Sequence, residues 1–291
     1  MPECRQRRAA SCRVFVGAPL AVDRPWLARR RVAHAARWLV AGLMPITVSI
    51  GCSGSGSPTS PSPQTLAQSL PLTQDSVNFT FHYSAGDSVD PNHEESWFTW
   101  AVDHLGIHSP RTVQYYKYTS TSQMKQITGT ASNGWADPPS FSVHTIWPWD
   151  DHEVVHVLTA LVGRPSDFFN EGIAVSMQTD PYASDPAQAL WNGQPLDAIA
   201  RTALAQGRLP HVQNMADTSS FRVIPDTDGY PWAGSFLQFL VKNYGMARTL
   251  DFFRGGGGRD ESLSTINSRF QQVYGASLSN VDLDWRGYLS R

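Results

Sequence analysis

The stretch Asp151-His152-Glu153-Val154-Val155-His156-Val157-Leu158 gathers the residue types in this chain best suited to chemistry. Two histidines four positions apart stand one turn above each other on the same face of an α-helix, close enough for both imidazoles to bind one zinc ion. Glu153, next to the first of them, reaches the water on such an ion rather than the ion itself, which is where a general base is needed. The alternative is a pair of core histidines bonded to backbone carbonyls. Two such residues beside a buried glutamate are costly without a cation to compensate.

The elements that must position these groups can be read outward from them. Val154, Val155, Val157, Leu158, Leu161 and Val162 make the helix over 151–162 apolar around most of its circumference, so it is expected to be central and buried. A catalytic zinc takes three protein ligands and keeps an open position for water. Glu171 is the candidate for the third, but it lies fifteen positions after His156, about 22 Å away on a continuous helix. Only a helical hairpin returns it. Gly163 and Pro165 stop the first helix and Ser166 caps the next, where such a hairpin needs them. The competing reading of Glu171 is an exposed first-turn glutamate favoured by the helix dipole.

His152-Glu153-x-x-His156 followed by Phe168-Phe169-Asn170-Glu171-Gly172-x-Ala174 resembles the gluzincin metallopeptidases, most closely the bacterial peptidase MA-like domains with an HExxH…EGxA pattern. Tyr230-Pro231-Trp232-Ala233-Gly234-Ser235-Phe236 and Asn243-Tyr244-Gly245 resemble the helix after that family's metal site, and Phe270-Gln271-Gln272-Val273-Tyr274-Gly275 with Trp285-Arg286 its C-terminal end. The resemblance covers about residues 140–291. It implies one zinc ion held by His152, His156 and Glu171, Glu153 as the base, and Tyr230 as the donor to the oxyanion, with His211 in reserve. It also implies a zincin-like α+β fold, with a mixed N-terminal sheet and a helical C-terminal subdomain, acting on a peptide or protein substrate. The strand ending near Trp147 is expected to pair with an extended peptide as zincin edge strands do, and its His144 to lie at the surface or behind a ligand. Where the thermolysin pattern has an acidic residue four positions after the glutamate ligand, this chain has Val175, so the group orienting His152 stays open. The rival readings are a non-catalytic binding lipoprotein that keeps the zinc hairpin, and a zinc hydrolase of a non-peptide substrate.

Four arginines among residues 29–37 precede the apolar run Trp38–Ile50, which has signal-peptide length and is short for a membrane span. Ser49-Ile50-Gly51-Cys52 resembles a bacterial lipobox. Residues 1–51 are accordingly expected to be a signal, and Cys52 a lipidated N-terminus that holds the chain extracytoplasmically at a membrane; the alternative is an ordinary cut nearby and a soluble secreted chain. Cys4 and Cys12 fall in the signal, so the mature chain has one thiol and no internal disulfide. Residues 52–72, rich in Gly, Ser and Pro at their start, read as a flexible tether. An upper α/β subdomain over 73–162 and a lower helical one over 163–291 follow.

Of the 291 residues, 41% are hydrophobic, enough for a sizeable core. Nine arginines against two acids in residues 1–51 leave 14 basic and 23 acidic side chains beyond them. So acidic a body argues against nucleic acid as a partner. Alternating or β-rich runs predict strands over 77–83, 113–118 and 141–147, with helices from Asp90-Pro91 through Leu105 and over 122–127. Further helices are expected over 187–206, 231–244, 247–254, 261–273 and 281–290, with Gly255–Gly258 as a mobile connection that lacks the setting of a phosphate loop.

Overall fold

The computed structural model describes residues 62–179 and 189–291. The segment expected to be a signal, Cys52 and the first part of the expected tether lie outside the described residues.

The tether expected over 52–72 gives way to a helix, α1 (Pro63–Ser69), capped by the Ser62 side chain, with Pro63 at its start. Leu66 and Leu70, one turn apart, bury against Tyr118 and Met124, so this end of the segment is folded by an apolar pair that the surrounding Ser and Pro obscure. The sheet that follows uses β1 (Leu72–Asp75), β2 (Phe79–Tyr83), β3 (Val113–Lys117), β4 (Gly134–Asp137) and β5 (Ser142–Thr145) in the order β1-β2-β3-β5-β4. β2, β3 and β5 run parallel, and the two outer strands are antiparallel to their neighbours. The parallel steps are bridged by α2 (Pro91–Leu105) and α3 (Thr121–Thr128). α2 starts where Asp90 caps it and ends at Gly106 in the left-handed conformation.

Alternation decides which face does what. Phe79, Phe81, Val113, Tyr115 and Val143 point into the main core with Trp97, Phe98 and Ala101 of α2 and Val154, Val157 and Leu158 of the helix α4 (Asp151–Thr159). On the opposite face His82, Tyr116, His144 and Trp135 stand in register across β2, β3, β5 and β4 and stack with centroid spacings of 4.6, 4.8 and 4.3 Å. His144 is therefore not a surface residue: it is 1% exposed, with Tyr118 Oη 2.8 Å from Nδ1 and Ser142 Oγ 3.1 Å from Nε2. Burial holds its pKa down at about 4 against an ordinary 6.5. A histidine whose folded pKa is depressed contributes stability above its unfolded pKa and loses it as pH falls toward the folded one. Between pH 6.5 and 4 the domain is expected to lose about 3 kcal/mol from this ring alone, read as a steep acid limb in denaturant unfolding that His144→Gln flattens.

The second half is helical, as its patterning predicts. α5 (Asp167–Met177) packs along α8 (Asp226–Tyr244), surrounded by α6 (Leu196–Ala205), α7 (Thr218–Phe221), α9 (Met246–Arg254), α10 (Leu263–Tyr274) and α11 (Leu278–Leu289). One continuous core runs from β2 to α11. Three expectations are corrected here. The helix expected over 187–206 begins only at Leu196, because Leu190–Trp191 (β6) and Gln194–Pro195 (β7) form a hairpin whose Asn192-Gly193 turn has φ of 51° and 76°, the dihedrals that this pair tolerates best. Pro231 lies inside α8 rather than at its start. Gly255–Gly258 is pinned, not mobile: Gly257 bridges to Arg164, the Gly258 amide donates to the Arg164 carbonyl at 2.8 Å, and a Cβ on Gly256 would stand 2.5 Å from that carbonyl. Gly256 serves close backbone approach to the turn between α4 and α5, and Gly258 supplies a φ of 84°.

Gly172 has the same use at the crossing of α5 and α8, where a Cβ would lie 2.8 Å from the Ala233 carbonyl oxygen. Backbone cannot yield as a side chain can. Gly172→Val is expected to cost about 2–3 kcal/mol of unfolding free energy, measured by denaturant titration.

Candidate metal centre

α4 begins at the cap Asp150, whose carboxylate accepts the Glu153 amide at 3.3 Å. Asp151 fixes the same end from the side: His93 Nε2 of α2 lies 3.1 Å from it, and the Thr179 amide donates to it at 3.0 Å. The chain then turns at 160–166 and runs back as α5. Ser166 precedes that helix, but its hydroxyl donates to the Ala216 carbonyl instead of capping.

The hairpin brings together the three residues that the spacing selects. His152 Nε2 and His156 Nε2 are 3.1 Å apart, and Glu171 Oε2 lies 3.1 and 3.3 Å from them. Donors held about 2.0–2.1 Å from a tetrahedral zinc are separated by about 3.3 Å, so the trio fits one such ion. Among the described residues the cluster has these three members. Glu171 is thus buried on the site rather than exposed in the first turn. His152 keeps 19% of its side chain exposed, which leaves the cluster open to solvent on one side.

Chemistry points the same way as distance. His152 Nδ1 lies 2.8 Å from Gln178 Oε1; donating its proton there leaves Nε2 a bare lone pair facing the Glu171 carboxylate, and two electron-rich atoms at that range need a cation between them. In the metal-free chain a proton fills the role. Burial disfavours imidazolium, yet the Glu171 bond and the Glu153, Glu171 and Asp150 carboxylates outweigh it and raise His152 to about 9. Burial dominates at His156 and lowers it. Glu171, despite a burial penalty, stays well below the usual carboxylate range because both imidazoles stabilise its anion. Glu153 is pushed up to about 8, first by burial and then by Asp150 and Glu171, against the pull of His152 and the Ala136 amide of β4.

Three groups at the centre had no role assigned from the sequence. Gln178, seven residues after Glu171, is the orienting partner of His152, so the role left open at Val175 moves one turn onward; Val175 itself is fully buried among Ala189 and Leu196. Asn170 Nδ2 lies 3.0 Å from His156 Nδ1, and a half-turn of its amide serves either tautomer of that ring. Arg222, just past α7, donates to Asp167, Glu171 and Tyr230. Asn170 sat in the quoted motif, but no pattern in the sequence selects Arg222, which reaches the site from 51 positions away.

Tyr230 does come to the centre, its ring 6.1 Å from that of His152 at 21°. Burial first, and then Glu171, raise its pKa and keep the phenol protonated. His211 pairs through Nδ1 with Asp282 of α11 at 2.5 Å, and the three-residue cluster does not include it. The edge-strand expectation also shifts: the strand ending before Trp147 is internal, flanked by β3 and β4, and the open edge beside α4 belongs to β4. β4 escaped notice because Gly134-Trp135-Ala136-Asp137 is short and lies between loop signals.

Compared with known proteins, the sequence matches no family model and no curated protein.

Proposed function

We propose that this chain is a zinc-dependent metallopeptidase of gluzincin type, hydrolysing peptide bonds with His152, His156 and Glu171 as ligands and Glu153 as general base. The observation that carries the reading is the convergence of Nε2, Nε2 and Oε2 within 3.3 Å of one another, at a histidine that keeps 19% of its side chain exposed. Zinc bound there supplies a Lewis acid that acidifies water and polarises a carbonyl. Glu153 takes the proton of the attacking water and returns it to the departing amine. Tyr230 donates its phenolic proton in a hydrogen bond to the oxygen on which negative charge develops. Peptide backbone amides and carbonyls align along β4, the edge strand next to α4. The zincin-like arrangement, with the sheet on one side of the active-site helix and α5 and α8 on the other, belongs to the same proposal, as do export and lipid anchoring through Cys52.

Metal analysis of the purified domain, paired with digestion of a peptide library in the presence and absence of a chelator, tests the reading. One zinc per chain and cleavage abolished by chelation are expected. Cleavage by the stripped protein, or a purified chain that takes up no zinc, overturns it.

A further inference from the structure

We infer that Arg222 is the positioning residue of this centre: it clamps Glu171 so that one oxygen is offered to the ion, and it occupies the Tyr230 phenol oxygen so that the phenolic proton faces the substrate. The inference rests on the metallopeptidase reading above.

The geometry is that of a fork. Nε donates to Asp167 Oδ2 at 2.7 Å, Nη2 to Glu171 Oε1 at 2.7 Å, and Nη1 to Tyr230 Oη at 2.8 Å. Asp167 and Glu171 stand four apart on α5, one turn along the same face, so a planar guanidinium spans both carboxylates at once. Asp167 is fully buried and also receives Arg259, which makes it the fixed end of the clasp. A carboxylate has two oxygens, and here each has a separate duty: Oε1 takes the guanidinium while Oε2 meets both imidazoles. Without the clasp Glu171 is free to rotate and present either oxygen, or both. At the phenol, the bond from Nη1 fills a lone pair of Oη. The hydroxyl proton then has to be donated elsewhere, and the ring already lies alongside His152. A lysine carries the same charge but lacks the fork and reaches one partner at a time.

The test measures zinc affinity by competition with a chromophoric chelator, and kcat and KM on a peptide cleaved by the parent, for Arg222→Gln, Arg222→Lys, Tyr230→Phe and the Gln–Phe double variant. Arg222→Gln is expected to weaken zinc binding about 10–100-fold, and Arg222→Lys to recover only part of that. Tyr230→Phe is expected to leave zinc affinity unchanged. At saturating zinc, Arg222→Gln is expected to lower kcat more than it raises KM, and to cost less in the Tyr230→Phe background than in the parent. Parental zinc affinity in both Arg222 variants, or costs at Arg222 and Tyr230 that simply multiply, overturns the inference, and so does a melting temperature lowered with no change in zinc affinity. If Gln prevents folding, the Lys variant decides the matter by the same zinc measurement. A parent that binds no zinc overturns the metal reading together with this inference; a zinc-binding, peptide-cleaving parent whose Arg222 variants match it overturns this inference alone.

Discussion

Glu153→Gln is expected to lower kcat by about 10²–10⁴-fold, the contribution of a positioned general base, while one zinc per chain is retained. The substitution keeps shape and hydrogen-bonding capacity, so the Ala136 amide still finds an acceptor, and none of the three ligands is touched. It also removes a buried carboxyl whose charged form burial and the neighbouring Asp150 and Glu171 oppose. The variant is therefore expected to melt no lower than the parent, which separates a chemical loss from an unfolding one. Peptide hydrolysis, metal analysis and a thermal melt on the same preparation make the comparison. Parental turnover in Glu153→Gln would remove this residue from the mechanism.

The second large effect concerns the ion itself. A ligand that binds only the folded state stabilises it by about 4 kcal/mol at a free concentration a thousandfold above its Kd, and in a domain of this size each kcal/mol moves the melting temperature by about 2–4 °C. Buffering free zinc at that level is thus expected to raise the melting temperature by about 8–16 °C over the chelated protein. Glu171→Ala is expected to abolish most of this response, because it removes one of three donors and leaves Arg222 facing the cluster with one of its anions gone. Scanning calorimetry across a zinc titration measures both. A melting temperature indifferent to zinc in the parent would mean that the trio closes around a proton alone.

What was legible in the sequence, and what was not, follows from the range over which each interaction acts. Local signals read well: Asp90-Pro91 fixes the start of α2, and the alternation around Phe79 and Phe81 gives a strand with one buried face. The convergence of His152, His156 and Glu171 was legible too, because helical periodicity pairs His152 with His156 and the breakers at Gly163 and Pro165 call for a returning helix. The Asn192-Gly193 pair carried a usable hairpin signal inside a stretch that otherwise reads as helix. Arg222 was out of reach, since nothing local distinguishes an arginine that docks on a carboxylate 51 residues away. His144 reads as an ordinary strand residue until the register of four strands stacks it between Tyr116 and Trp135. Side-chain partners of this kind are set by tertiary packing, and a single sequence holds no periodicity for them.

The seating of Gly256, Gly257 and Gly258 on Arg164 has a consequence for protein engineering. Because the loop that braces the bend between α4 and α5 comes from some ninety positions downstream, the helical hairpin is not a portable cassette. A peptide spanning only the histidine and glutamate helices, or a chain truncated after α9, lacks that brace, so transplantation onto another scaffold has to supply an equivalent glycine-lined support.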